Sequence, residues 1–258
     1  YLTQKEEVVD LDQLEPTDKI IEQFGRQILV PGINEEGQLI LANRKVCIIG
    51  LGALGTIASQ YLVRSGIGEI SLIDPDTIEE SNLHRQINYD LNDIGELKSE
   101  VSKKKLQEIN NTTNIFSYSE TFESYLQKKL KYKFDIIFDC TDSHQNKILS
   151  SKFSKKQQVP FISISINSSE GIYFSQNYKK NALLPCFECL FPQTDQDHRC
   201  LNSAMIGPVA GMVTSLACTK IIFALASNSL SLENEISLID LLTSDINKLQ
   251  LSKINCPH

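Results

Sequence analysis

The chain has 258 residues, of which 41% are hydrophobic and 22% charged, and carries a formal net charge of −7. That length allows one large α/β domain or two small ones, and the apolar content excludes wholesale disorder. The acidic balance, without a large basic patch, argues against nucleic acid or another polyanion as a partner.

Residues 1–18 are polar and acidic and read as a loose arm. Residues 19–43 read as two short helices, broken at Pro31-Gly32. An apolar strand is predicted over 46–49, a helix over 56–65 ended by Gly66, and a second strand over 69–73. The helix predicted over 98–110 is charged; its Lys103, Lys104 and Lys105, mixed with Glu100 and Glu108, read as a solvated face. Strands follow over 115–118 and 134–138, the second leading into Asp139-Cys140-Thr141-Asp142, and then a helix over 144–156. Residues 161–166 and 172–174 are β-rich, and 178–203 read as loop. The apolar run 205–226 is interrupted by Pro208, Thr214, Ser215, Thr219 and Lys220, which favours a buried core helix over a membrane span. Two last strands, 235–241 and 246–251, are joined by Thr243-Ser244-Asp245 and read as an antiparallel hairpin. Alternating strand and helix predicts an α/β, doubly wound, Rossmann-like sheet, mostly parallel with an antiparallel C-terminal portion. Residues 1–44 then form an N-terminal arm with helices, and 45–258 a single globular unit.

Gly50, Gly52 and Gly55 lie between a predicted strand and a predicted helix. Residues without a Cβ there let backbone N–H groups approach phosphate oxygens at a helix N-terminus. Asp74 lies nineteen positions beyond Gly55, at the spacing of an acid that accepts from ribose hydroxyls. A tight turn with no ligand is the plainer alternative; the strand before, the helix after and the acid favour a nucleotide. Asp76 serves equally to shape the turn or to touch ligand. Just beyond the ribose position, Ser81-Asn82-Leu83-His84-Arg85-Gln86 supplies hydroxyl, amide and guanidinium groups. Such groups suit a nucleoside triphosphate better than a nicotinamide ring.

With these motifs in order, the chain resembles the ThiF/MoeB family, the bacterial relatives of ubiquitin-activating enzymes, over about residues 22–258. The resemblance implies ATP as the nucleotide, with Asn82 and Gln86 as polar ligands. Positive charge is needed where a triphosphate is attacked at its α-phosphorus, and Arg85 supplies it. Lys98 alone would read as a surface residue; the resemblance makes it a phosphate ligand. The Asp-Cys-Thr-Asp element implies Asp142 as a magnesium ligand, with Asp139 capping or orienting its neighbours. The family usually continues with Asn and then Arg, where this chain has Ser143 and Lys147. Arg26, in Phe24-Gly25-Arg26-Gln27-Ile28-Leu29, matches an arginine that reaches into the neighbouring subunit's ATP site, which implies a homodimer.

Seven cysteines are an odd set, and no positively charged start precedes an apolar run. A reducing compartment and a cytoplasmic location are expected. Cys186-Phe187-Glu188-Cys189 can grip one zinc ion, which needs a second pair of ligands. The chain ends Cys256-Pro257-His258, one residue short of the family's Cys-Pro-x-Cys. A redox pair is the alternative use of this CxxC. Cys200 follows Arg199 near a helix start, which favours the thiolate. The resemblance implies that it can bond to a carrier protein or its sulfur donor; the plainer reading is a loop thiol. Cys47, Cys140 and Cys218 read as small core residues.

The implied function is ATP-dependent adenylylation of the C-terminal Gly-Gly carboxylate of a ubiquitin-like sulfur carrier protein, of the ThiS or MoaD type. Thiamine or molybdopterin synthesis would follow, with sulfur from a cysteine desulfurase or rhodanese-type donor, since no rhodanese-like stretch is recognised here. Three alternatives stand beside it. One is adenylation of a short peptide. Another is an inactive partner subunit of a heterodimeric activating enzyme, although Arg26, Arg85, Lys98 and Asp142 are all present. The third is an NAD-dependent dehydrogenase, which leaves residues 81–86, Lys98 and the paired cysteines unexplained.

Overall fold

Strands covered on both faces need apolar residues at every position rather than at alternate ones. The central runs of this chain meet that condition. In the computed structural model, which describes residues 18–128, 133–179, 185–192, 204–228 and 232–251, they form the middle of an eight-stranded sheet. β1 (Lys45–Ile49), β2 (Glu69–Ile73), β3 (Asn114–Tyr118), β4 (Ile136–Asp139) and β5 (Phe161–Asn167) are parallel, in the order β3-β2-β1-β4-β5. β6 (Glu170–Gln176), β7 (Glu235–Asp240) and β8 (Asp245–Gln250) extend the sheet with antiparallel pairs. The chain winds from β1 out to β3, then returns to β4 on the other side of β1. That reversal opens a crevice at the carboxyl ends of β1 and β4, where doubly wound sheets bind ligands.

Side chains alternate between two buried layers. Val46, Ile48, Ile70, Leu72, Ile136 and Phe138 pack in one, with α3 (Ala53–Arg64) and α8 (Gly207–Leu225). Cys47, Ile49, Ile137 and Phe161 face the other, with α5 (Phe122–Gln127), α6 (His144–Gln157) and the short α7 (Phe187–Leu190). The predicted parallel-then-antiparallel architecture is present, as are the two N-terminal helices, α1 (Asp18–Ile28) and α2 (Asn34–Leu41), the helix α4 (Lys98–Ile109) and the C-terminal hairpin. α8 is long and apolar enough to cross a membrane by composition, yet its Val209, Val213, Ala217 and Ile221 are buried in the core. Cys47, Cys140 and Cys218 are buried there too, and burial pushes each thiol up, away from reactivity.

Several elements depart from expectation: α7, too short to give a periodic signal, stands in the stretch 178–203 read as loop, and β6 runs Glu170–Gln176 rather than 172–174. α3 begins at Ala53 rather than 56, because its first turn is built from the glycine segment, which reads as a breaker in sequence. β4 covers Ile136–Asp139, so Phe134 fills the second core layer from outside the strand. α5 was not expected; it is too short for a periodic signal and is started by Thr121, whose hydroxyl accepts from the Ser124 N–H at 3.2 Å. The edge hairpin is tied down by Glu235, a buried carboxylate that pairs with Lys220 of α8 and Lys248 of β8.

Candidate nucleotide site

The turn after β1 is shaped by what it leaves out. Gly50 has φ +87°, a left-handed conformation, and a Cβ there would stand 3.0 Å from the Thr141 methyl group. A Cβ on Gly55 would lie 1.8 Å from the Gly50 carbonyl oxygen, so α3 can pack this closely on the turn only with glycine. Gly52 precedes α3 with no side-chain cap, and a Cβ there would meet nothing nearer than Gln86 Nε2 at 3.9 Å. The first N–H groups of α3 therefore have no side-chain cap, and the positive end of the helix dipole lies behind them.

Asp74 closes the far side. It is buried, and its two carboxylate oxygens accept from Leu51 N–H (2.5 Å) and Asp76 N–H (2.8 Å). Burial pushes its carboxyl above the usual carboxylate range, countered by the Leu51 N–H and the nearby Lys98. Lys98 opens α4, is itself buried, and donates to Asp76 Oδ2 at 2.9 Å. The choice left open for Asp76 is thereby narrowed: its carboxylate holds the lysine. Tyr89, which carried no expectation, joins the two sides. Its hydroxyl lies 3.1 Å from the Leu51 carbonyl, 3.3 Å from the Lys98 carbonyl and 3.0 Å from Ser102 Oγ. Only its nearness to residues 81–86 could have singled it out.

The Ser81-to-Gln86 stretch divides its work. Asn82 is buried in the turn, where its Oδ1 accepts from the Glu79 N–H at 3.2 Å and its Nδ2 donates to Ser81 Oγ at 3.3 Å. Arg85 is half-buried, with Nη1 donating to the Ser81 carbonyl at 2.7 Å. Gln86 is buried beside Gly52, and its Oε1 has no hydrogen-bond partner. A buried amide oxygen without a partner is a place where a polar ligand or water can be accommodated.

The element after β4 is placed against the same turn through Thr141. Asp139 is 0% exposed and accepts from Thr141 N–H (2.9 Å), Thr141 Oγ1 (2.7 Å) and Ser150 Oγ (2.5 Å). Asp142, by contrast, is exposed at the mouth of the crevice. Burial thus divides the two acids: Asp139 orients its neighbours, and Asp142 is open to solvent. An exposed carboxylate beside a phosphate site fits magnesium, which takes one or two carboxylates together with phosphate oxygens and water. Ser143 caps α6 through the Asn146 N–H at 3.3 Å, and Lys147, standing where arginine is usual, is buried against Asp139.

Arg26 is not brought to this pocket. It is exposed in the last turn of α1, and its neighbour Gln27 is anchored to the Ser65 carbonyl at 2.9 Å. Ser65 caps the C-terminal end of α3, a helix of 12 residues whose N-terminus forms the pocket; that end lies about 18 Å away at 1.5 Å per residue. The cysteine pair lies apart as well. Cys186 and Cys189 hold their sulfurs 3.7 Å apart across α7. Two thiolates bound at about 2.3 Å to one tetrahedral zinc would stand about 3.8 Å apart, so the pair fits half of such a site. Among the described residues no group of three or more metal-ligating side chains gathers. Cys200 and Cys256 lie outside the described residues.

Comparison with known proteins agrees with this geometry. The chain is 33% identical over 211 residues to the adenylyltransferase and sulfurtransferase MOCS3 of Dictyostelium discoideum, covering 81% of this chain and 49% of that protein. It is 31% identical over 218 residues to the adenylyltransferase and sulfurtransferase uba4 of Aspergillus niger, covering 80% of this chain and 45% of that protein. The chain thus spans about half the length of the curated relatives it matches. Among solved structures, E. coli MccB with ATP superposes with a TM-score of 0.71 at 27% identity, covering 86% of this chain and 67% of that one. The sequence model of the ThiF family matches residues 24–258, and with the glycine turn, Asp74, Lys98 and Asp142 gathered at the crossover of the sheet, the chain belongs to the ThiF family.

Proposed function

We propose that this protein is an ATP-dependent adenylyltransferase that activates the C-terminal Gly-Gly carboxylate of a ubiquitin-like sulfur carrier protein, of the ThiS or MoaD type. The observation that carries the reading is the convergence of an uncapped helix N-terminus, a buried acid and a buried lysine at the carboxyl ends of β1 and β2. The N–H groups of α3 cradle the phosphates, Asp74 accepts from the ribose hydroxyls, and Asn82 and Gln86 supply amide contacts. The carrier's carboxylate attacks the α-phosphorus, the bond to the bridging oxygen breaks, and pyrophosphate leaves with an acyl-adenylate behind. A carboxylate is already ionised at neutral pH, so no general base is required. Arg85 and Lys98 balance the charge that develops on the phosphate oxygens, and Lys98 would exchange Asp76 for phosphate as it does so. Asp142 would hold magnesium, which supplies Lewis-acid neutralisation of the triphosphate.

The distance of Arg26 from its own pocket supports a homodimer in which each arginine completes the partner's site. Ile21, Leu29 and Val30, exposed on and just after α1, add apolar surface beside it. Cys186, Cys189 and Cys256 would share one structural zinc ion, clipping the segment after β8 to α7. Metal analysis of purified protein is expected to find one zinc per chain, and a metal-free, fully active preparation would refute this. Cys200 is proposed to relay sulfur from a cysteine desulfurase or rhodanese-type donor in a cytoplasmic pathway to thiamine or molybdopterin.

The test is ATP–pyrophosphate exchange with thiamine-type and molybdopterin-type carriers added separately. Exchange with one of them is the expected outcome and names the pathway. A second reading, adenylation of a short peptide, draws on the likeness to MccB, which has been solved with MccA. Exchange with a peptide and silence with both carriers would favour it.

A further inference from the structure

The nucleotide pocket makes no direct use of one buried cation close to it. Lys147, on α6, has a side chain only 4% exposed, and its ammonium group spends its three N–H donors on three acceptors. These are Asp139 Oδ1 at 3.4 Å, Ser163 Oγ at 3.0 Å and the Ile164 carbonyl at 2.9 Å. Burying an ion pair carries a desolvation cost that is offset only when each partner is also hydrogen-bonded. Both are, and the arrangement leads outward. Asp139 Oδ1, the atom facing Lys147, also accepts the Thr141 N–H and hydroxyl, and the Thr141 methyl group sits against Gly50 of the phosphate turn. The next residue is Asp142, and Ser143 then starts α6, which returns to Lys147. The path from the buried lysine to the exposed carboxylate is therefore one closed loop of chain, fixed at both ends.

We propose that Lys147 is a positioning residue for the metal-binding loop: through Asp139 and Thr141 it sets where Asp142 stands over the nucleotide site. The inference rests on the reading of Asp142 as the magnesium ligand. Without the lysine, Asp139 is a lone charge in the core. It is relieved by rotating toward solvent, and that change loosens its hold on Thr141 and so on Asp142. A lysine that serves only the fold would behave differently. Its loss would lower the melting temperature and leave the contribution of magnesium to ATP binding unchanged.

The experiment is calorimetric titration of the full chain with ATP, with and without Mg²⁺, beside a melting curve for each protein. In the wild type Mg²⁺ is expected to tighten ATP binding. In Lys147→Met, whose side chain keeps the packing and loses the charge, that tightening is expected to fall by about 10–100-fold, the usual loss when a partner of a metal ligand is removed. Metal-free ATP affinity should stay at its wild-type value, and Lys147→Arg should restore most of the Mg²⁺ effect. Thr141→Val, which keeps the shape and cuts the hydroxyl link, should show a smaller loss in the same direction, and it carries the test if Lys147→Met does not fold. Variants that melt earlier but keep the full Mg²⁺ effect would overturn the role of Lys147 alone. A wild type indifferent to Mg²⁺ would instead overturn Asp142 as a ligand, and this inference with it.

Discussion

Replacing Asp142 by alanine is expected to lower carrier-dependent ATP–pyrophosphate exchange by about a hundredfold or more, the scale of losing one group that stabilises transition-state charge. The side chain is exposed and its backbone belongs to a loop, so stability should change by no more than about 0.5 kcal/mol. That combination, chemistry lost and fold kept, separates Asp142 from Asp139. The latter is fully buried and accepts from Thr141, Ser150 and Lys147. An Asp139→Ala protein would lose stability as well, so its inactivity would say little about catalysis. Asp142→Ala with wild-type exchange at saturating Mg²⁺ would remove the residue from the proposed mechanism.

The second large effect is expected at Gly55. A methyl group there would stand 1.8 Å from the Gly50 carbonyl oxygen and 2.8 Å from the Gly50 carbonyl carbon, both backbone atoms that no rotamer change can move aside. Gly55→Ala must displace either the first turn of α3 or the glycine turn itself. Overpacking of this kind costs about 1–3 kcal/mol, and a fall in Tm of about 2–12 °C should follow for a chain of this size. ATP binding should be lost with it, because the phosphate-facing N–H groups belong to the displaced turn. Gly52→Ala is the control. Its added methyl meets only the Gln86 amide at 3.9 Å, so the fold should hold while phosphate approach is obstructed. Calorimetry and thermal melting of the two variants read these effects apart. Equal stability of Gly55→Ala and wild type would contradict the packing described for α3.

Much of the fold could be read from local pattern. Strands such as β1 and β4 are continuous apolar runs, because a strand sandwiched between helices must be apolar at every position. Helix and strand boundaries were less legible where glycine or a short element was involved. The start of α3 lay hidden in a glycine turn, and α5 depends on one threonine cap and on burial of Phe122 and Tyr125. The same holds for the site. Gly50, Gly55 and Asp74 are recognisable from their spacing, whereas Tyr89 has no motif and acquires its place only when α4 docks beside the turn.

The sequence by itself determined the glycine turn, the acid beyond it and the parallel character of the sheet's first half, since these follow from residue type and from spacing along the chain. Tertiary structure alone decided how the charges are shared. It placed Lys98 on Asp76, separated buried Asp139 from exposed Asp142, and set Arg26 at the far end of α3 from the pocket. The physical reason is that burial and charge pairing depend on groups distant in sequence. Lys147 and Ser163 are partners only because α6 packs on the sheet, and Leu51 and Asp74 only because β1 and β2 pair.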